Sequence, residues 1–433
     1  MRISTSTIYD LGVGSIQQQT SSLIKLQQQV ATGRRIMTPA DDPVGASRVL
    51  EVGQSKALNE QYDVNTDSAS SNLGLEDTIL GGITNLIQDV RTLTINAGNA
   101  TLNHSNLAGL ATELRGRYQE LLGFSNSTDG GGQYMFSGYQ GSTAPFSETA
   151  PGVVAYNGDQ GQRLLQISPS RQIAISDSGL DIFQRIKNGN GTFVTAATTT
   201  NTGTGLVSPG TVLDPAKWNA AANNKDFTVN FYVDNSLTPP RTSYDIVDNV
   251  AGLSLLTGLA PAVPVPGVGF PRTYTSGSNI SLKSQGAEPP FDYGAELSVQ
   301  GNPASGDSFT VKASTNESMF ATINNLITAL ESANVPTEGT KLTNNLNTAL
   351  SNLDNGLDQV LTVRASVGAR LKEVESVKSN GQDIALQYQQ TISNLQDLDY
   401  AKAISDLTRQ QAGLEAAQKS FIKIQGLSLF NFI

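Results

Sequence analysis

Apolar residues recur at alternating steps of four and three along both ends of the chain, and the middle lacks the pattern. At the C-terminal end Leu342, Leu346, Ala349, Leu353, Gly356, Val360, Val363, Val367, Arg370, Val374, Val377, Gly381, Ile384, Tyr388, Thr391, Leu395 and Leu398 keep one heptad seam. A seam of this kind needs a partner helix. After a one-residue slip it resumes at Ala403, Leu407, Gln410, Leu414, Ala417, Phe421 and Ile424. In a coiled coil such a slip changes the winding locally, so the spacing predicts that the helix continues. The partner is a second seam, from Ile79, Ile83, Leu86 and Val90 through Leu107 and Leu114 to Leu121. A third, Tyr9, Ile16, Leu23 and Val30, recurs every seventh residue. The pattern predicts long N- and C-terminal helices paired in a coiled-coil-like rod.

Punctuation refines this. Asp42 before Pro43 reads as a cap with proline at the first helical position, which starts a helix running toward Asn99 and leaves Gly33 to Asp42 as a turn. Gly98 to Ser105 interrupts the pattern, and the next helix ends near Gly123. From Gly130 to about Gly306 the chain is rich in Gly, Thr, Ser, Asn and Pro. Short alternating runs at 163–167, 172–175, 227–233, 243–247 and 309–311 predict strands there, and the helical pattern returns at Met319. The fold class is therefore α+β, with an inserted mainly-β outer domain. The expected division is 1–42 and 399–433 as terminal helices, 43–140 and 316–398 as a helical rod domain, and 141–315 as the β-rich insert.

Composition narrows the functions. The formal net charge is -10, from 28 basic and 38 acidic residues, with no basic run, so no nucleic-acid or anionic-lipid footprint is present. Cysteine is absent and there is one histidine, His104, which removes thiolate metal sites, cysteine nucleophiles and paired-histidine zinc motifs. His104 lies on the helical seam at the expected break, with no nucleophile elbow elsewhere. Asp63, Asn65 and Asp67 start like a calcium loop, but Ser68 and Gly74 stand where glycine and a bidentate glutamate are needed. Gly130 to Gly132 form a glycine turn without a following lysine, and Trp218 reads as a core residue of the insert. No enzyme, cofactor or metal is expected. The uncharged stretch from Asn249 to Pro271 is broken by prolines and glycines and is not a membrane span. The start MRISTSTIYDLGVG lacks the apolar core of a cleaved secretory signal, so export would use another route.

The outermost pieces, Tyr9 to Val30 and Ala403 to Ile433, can form only a two-helix hairpin. That hairpin is too thin to bury its own seams and should finish its core against other copies. The expected assembly residues are Tyr9, Ile16, Leu23, Val30, Leu407, Leu414, Phe421, Ile424, Leu427, Leu429 and Phe430, with Asp41, Asp42 and Pro43 as cap and turn.

Several segments then resemble one family. ATGRRIMTPADDPVGASR at 31–48 and IQDVRTLTINAGN at 87–99 are similar to the first turn and following helix of bacterial flagellins and their relatives. GGGQYMFSGYQGSTAPF at 130–146 and KIQGLSLFNFI at 423–433 look like the hook-filament junction members of that superfamily. DPAKWN, SYDIVD and NPASGDSFTV in the insert are similar to decoration domains of hook-associated proteins. The resemblance implies an extracellular, structural part of the bacterial flagellum, exported through the type III channel without a cleaved signal. It implies a ring of copies as the junction adaptor, touching flagellin and the hook-side junction protein, and an export chaperone on the C-terminal region. A filament-forming flagellin, or an adhesin acting through the insert, are the alternatives.

Overall fold

The computed structural model describes residues 5–426 except Ala221, Ala262 and Asn334. Helices α1 (Thr5–Thr32), α2 (Pro43–Ala97) and α3 (His104–Ser125) come first. The short α4 (Gly179–Phe183) and α5 (Pro215–Trp218) lie among strands, and α6 (Met319–Ser332), α7 (Val335–Gln396) and α8 (Tyr400–Gly426) complete the order. This is the α+β architecture that the periodicity predicts, long helices at both ends and a β-rich segment between them.

Local chemistry sets the helix ends. Asp42 Oδ1 accepts the Gly45 N–H at 2.9 Å, satisfying one of the orphan donors at the start of α2. Asn103 Oδ1 accepts the Asn106 N–H at 3.0 Å and starts α3 after the expected break. One expectation is corrected here. The seam slip near residue 400 was expected to rewind the helix without ending it, yet α7 stops at Gln396 and α8 begins at Tyr400. The backbone between them is used elsewhere, because Arg34 bridges Asp397, the Leu398 N–H donates to the Gly33 carbonyl and Asp399 Oδ1 accepts the Lys402 N–H.

The chain divides into two compact units. The terminal unit holds Met1–Asp67, Gln166–Arg171 and Val374–Ile433, and the central unit Ser68–Leu165 and Gln172–Glu373. In the central unit, Leu73, Leu80, Ile83 and Val90 of α2, Leu107, Leu114 and Leu121 of α3, Ile323 and Leu330 of α6, and Leu346, Leu353, Val360 and Val367 of α7 are all buried. The pairs Arg91–Asp354 and Arg364–Asp77 run between α2 and α7 at 2.8 and 2.7 Å. Exposed pairs of this kind contribute about 0–1 kcal/mol, whereas each buried aliphatic side chain contributes about 1.5–3 kcal/mol, so apolar burial holds these helices together.

Two further cores lie within the β-rich segment. The first is aromatic: Phe146 lies 5.3 Å from Phe183 and 5.5 Å from Phe320 of α6, with Phe136 5.6 Å from Phe183. It seats the hairpin Phe146–Ala150/Val153–Tyr156 on the helices. The second belongs to an outer lobe of two antiparallel sheets. One orders Leu253–Ser254, Arg241–Asp248, Asp226–Asp234, Ser308–Ala313 and Phe193–Ala197 side by side; the other is centred on Asp292–Gln300 paired with Asn279–Lys283. Alternate residues Phe227, Val229 and Phe231 point into a core shared with Ile246, Leu282, Leu297, Phe309 and Trp218. The chain enters and leaves this lobe through a neck, where Ile186–Lys187 pairs with Asn316–Glu317 and the Asn188 N–H donates to the Thr315 carbonyl at 3.1 Å.

A polar stripe on α7 grips the neck and lobe. Asn344 Oδ1 accepts the Val207 N–H and its Nδ2 donates to the Gly205 carbonyl, each at 3.0 Å. Asn352 Oδ1 accepts the Gly189 N–H at 3.0 Å, Asn355 Nδ2 donates to the Lys187 and Gly189 carbonyls, and Gln359 Nε2 to the Asp181 carbonyl. At 100° per residue these four positions fall on one side of the helix. Replacing 190–313 by a short Gly/Ser linker at the neck should leave the helical core folded. Phe183→Ala should cost about 3–5 kcal/mol, because Phe183 fills the aromatic core. Urea unfolding followed by helical circular dichroism measures both; a lobe deletion that unfolds the helices would contradict this division.

Candidate assembly surface on the terminal helices

In the terminal unit α1 and α8 run antiparallel. Tyr9 and Phe421 rings lie 5.1 Å apart at one end, and a side chain at Gly12 would meet the Phe421 ring at 2.9 Å, so glycine permits the approach. At the other end Gly33 has φ +68 and packs under the Tyr400 hydroxyl, a backbone conformation and a clearance that only glycine accommodates. The seam residues Ile16, Leu23, Val30, Leu407, Leu414 and Phe421 face this pairing and remain half-buried, and Tyr9 keeps 47% of its surface. Ala403 is buried. Ile424 lies in α8 with its side chain outside the described residues, and Leu427, Leu429 and Phe430 lie outside them altogether.

The expected turn and cap residues sit beside this hairpin. Asp41 pairs with Lys25 of α1 at 2.6 Å, and its Oδ2 accepts the Met37 and Thr38 N–H groups. The Lys25 hydrogen bond first, and then that from Thr38, hold the Asp41 carboxyl well below the usual carboxylate range. Arg35 donates to the Leu395 carbonyl at 2.7 Å and Ile36 is buried, so the turn is closed against the end of α7.

The distribution of burial separates the two units. Along α2, apart from Gly45 in its first turn, full burial begins at Thr66 and Ala69; along α7 it ends at Val374, although the heptad spacing continues to Leu398. Among the described residues of the terminal unit the buried apolar side chains are Ile36, Ile167, Val374 and Ala403. Leu11, Ile24, Leu50, Leu58, Leu386 and Ile422 are between 49% and 68% exposed. A surface this apolar, on helices patterned for partners, is the mark of an interaction face.

The chemical candidates fall elsewhere. His104 is the first residue of α3, exposed, with Nδ1 3.3 Å from the Ala333 carbonyl. Asp67 pairs with Lys378, Asn65 Nδ2 donates to the Gln166 carbonyl, and Asp129 Oδ1 accepts the Gly131 and Gln133 N–H groups of the glycine turn. Among the described residues there is no group of three His, Cys, Asp or Glu side chains able to hold a metal ion, and no helix long and apolar enough to cross a membrane. Sequence reasoning missed one charged cluster, Glu76, Asp177 and Arg370. The available signal was Arg370 itself, a cation at a seam position.

Comparison with known proteins agrees with this geometry. Residues 3–141 match the bacterial flagellin N-terminal helical region. The likeness is to the bacterial flagellin superfamily. It is 27% identical over 430 residues to flagellar hook-associated protein 3 of Salmonella typhimurium, covering 99% of both chains. The crystal structure of flagellar hook associated protein-3 from Legionella pneumophila superimposes with a TM-score of 0.68 at 29% identity, over 80% of this chain and 98% of that one. FlgL from Xanthomonas campestris superimposes with a TM-score of 0.65 at 26% identity, over 79% and 99%. By these matches the chain is a structural component of the bacterial flagellum. Asp42→Ala should fray the start of α2 at a cost of about 0.5–2 kcal/mol, read as faster amide exchange at 43–47 with the rest of α2 unchanged. Unchanged exchange there would mean that Pro43 alone fixes the start.

Proposed function

We propose that the chain is a junction adaptor, a ring of copies that links the hook-side junction protein to the flagellin filament. The carrying observation is the seam that outruns its cover: among the described residues, α1, α8 and the neighbouring part of α7 have partner-seeking spacing, yet full burial there is confined to Val374 and Ala403. In this reading 1–42 and 399–433 form the inner assembly core through Tyr9, Ile16, Leu23, Val30, Leu407, Leu414 and Phe421, with Ile424, Leu427, Leu429 and Phe430 continuing the apolar run. Segments 43–140 and 316–398 form the surrounding helical layer, and 141–315 decorates it. The full-length match to hook-associated proteins supports the junction over a filament role. Export would proceed without a cleaved signal, with a chaperone engaging the C-terminal region before assembly.

Leu414 is half-buried in the monomer, so its apolar surface contributes fully, at about 1.5–3 kcal/mol, only when a neighbour covers it. Leu414→Asp should leave the monomer's melting temperature nearly unchanged while cells release unpolymerised flagellin into the medium. A large fall in monomer stability would place Leu414 in an intrachain core instead. Electron microscopy with an antibody to the outer lobe separates the readings, because a junction protein gives one band at the filament base and a flagellin decorates the filament along its length.

Amide exchange of the monomer gives an independent check. Ordering a backbone costs about 1–2 kcal/mol per residue, which half-buried seams barely offset. Amides of α1 and α8 should therefore exchange far faster than those of α7 between Leu342 and Val367. Equal protection in a preparation shown to be monomeric would remove the need for neighbours.

A further inference from the structure

Away from the terminal helices, one charged cluster has no part in the assembly reading. Glu76 of α2 is fully enclosed, at 0% exposure; neither carboxyl oxygen makes a hydrogen bond of good geometry, and the group it lies against is Asp177, by both its side chain and its backbone. Buried polar groups in folded proteins are nearly always paired, so this one calls for a physical reason. The charged groups acting on it are Asp177, from the segment between the strand Arg171–Ala174 and α4, and Arg370 of α7. Arg370 pairs with Asp177, each side chain being 13% exposed, and donates to the Ala174 carbonyl at 2.9 Å. Asp177 also accepts Nε2 of Gln162 at 2.8 Å. Two carboxyl groups thus share one guanidinium, and Asp177 holds it.

A carboxylate in this enclosure is heavily penalised, whereas the neutral acid is tolerated. Burial first, and the Asp177 charge second, push the Glu76 carboxyl up to about 8, against the opposing pull of Arg370. We propose that Glu76, Asp177 and Arg370 form a proton-dependent latch at the base of the β-rich segment. With Glu76 neutral, Arg370 clamps Ala174 and Asp177 to α7. Ionised Glu76 competes for the same guanidinium, draws water into the enclosure and loosens the clamp. The sign follows from linkage: the folded-state value lies above the ordinary 4.5, so the stabilisation is complete below about 4.5, declines as pH rises and is gone above about 8.

The test is amide exchange of the full chain at about pH 6 and about pH 9.5, corrected for the intrinsic rate. In the natural protein, opening of residues 172–178 should rise at least about tenfold in alkali, the change expected as pH climbs from about 6 through a midpoint near 8, above which it levels off. Glu76→Gln keeps the shape and the neutral state, and should hold its protection at both pH values. Asp177→Asn frees Arg370 for an ionised Glu76 and should abolish the alkaline opening while weakening protection throughout. Exchange that does not change with pH in the natural protein, or a Glu76→Gln variant that opens in alkali as the natural protein does, would overturn the latch. A carbon-13 titration of the Glu76 carboxyl in the unmutated chain needs no variant. A midpoint above about 7 supports the latch, and one near the ordinary 4.5 refutes it.

Discussion

The constraint on which the structure depends is that a heptad seam must be covered, and this chain covers only part of its own. From Ala69 to Leu121 and from Leu342 to Val374 the seam positions are mostly buried, with His104, Val363 and Arg370 among the exceptions. Beyond those limits, among the described residues, the spacing continues with full burial only at Ala403. Because each seam side chain is worth about 1.5–3 kcal/mol only when covered, stability and association are assigned to different stretches of the same helices. The central unit buries most of its seam within the chain, and the terminal unit leaves apolar surface that the proposed assembly would cover.

Much of this was legible in the sequence because the helical signals are local and periodic. The cap at Asp42, the break after Ala97 and the return of helix at Met319 are each set by residues within a few positions. The end of α7 was not legible from periodicity. It depends on Gly33 and Arg34, more than three hundred residues earlier, supplying a carbonyl and a bridge to Leu398 and Asp397. Nor did alternation reveal that the β-rich segment has two cores. That division rests on Phe146 and Phe183 packing against Phe320 of α6 while Phe227 and Phe231 pack within the lobe. The face proposed for assembly follows the same spacing, with Ile16, Leu23, Leu407 and Leu414 at seam intervals and none of them fully buried.

The helix α7 carries two unrelated patterns. One face follows the heptad, and another, through Asn344, Asn352, Asn355 and Gln359, supplies amide groups to backbone of the neck and lobe. Asparagine is a poor helix former, costing up to about 0.7 kcal/mol relative to alanine. A satisfied hydrogen bond returns about 0.5–1.5 kcal/mol, and an unsatisfied buried amide would cost about 1–3 kcal/mol. The stripe is thus nearly neutral in total stability. Its effect is orientation, because the lobe's backbone groups at Gly189, Gly205 and Val207 find partners only when the lobe sits at this place on α7.

The same reasoning explains how a hairpin as thin as α1 and α8 can serve as an assembly element. α1 has 28 residues and α8 has 27, and both are long enough to propagate once started. Leu23, Leu407 and Leu414 are only partly covered within one chain, so some of the apolar gain the seam can supply is left for neighbours. Backbone ordering, at about 1–2 kcal/mol per residue, is due in full whether or not neighbours are present. A neighbouring copy therefore adds burial without repeating that cost, and the net gain per contact rises with each copy already in place. In the proposed role, association through such a surface is favoured at the edge of an existing assembly over pairs of free subunits.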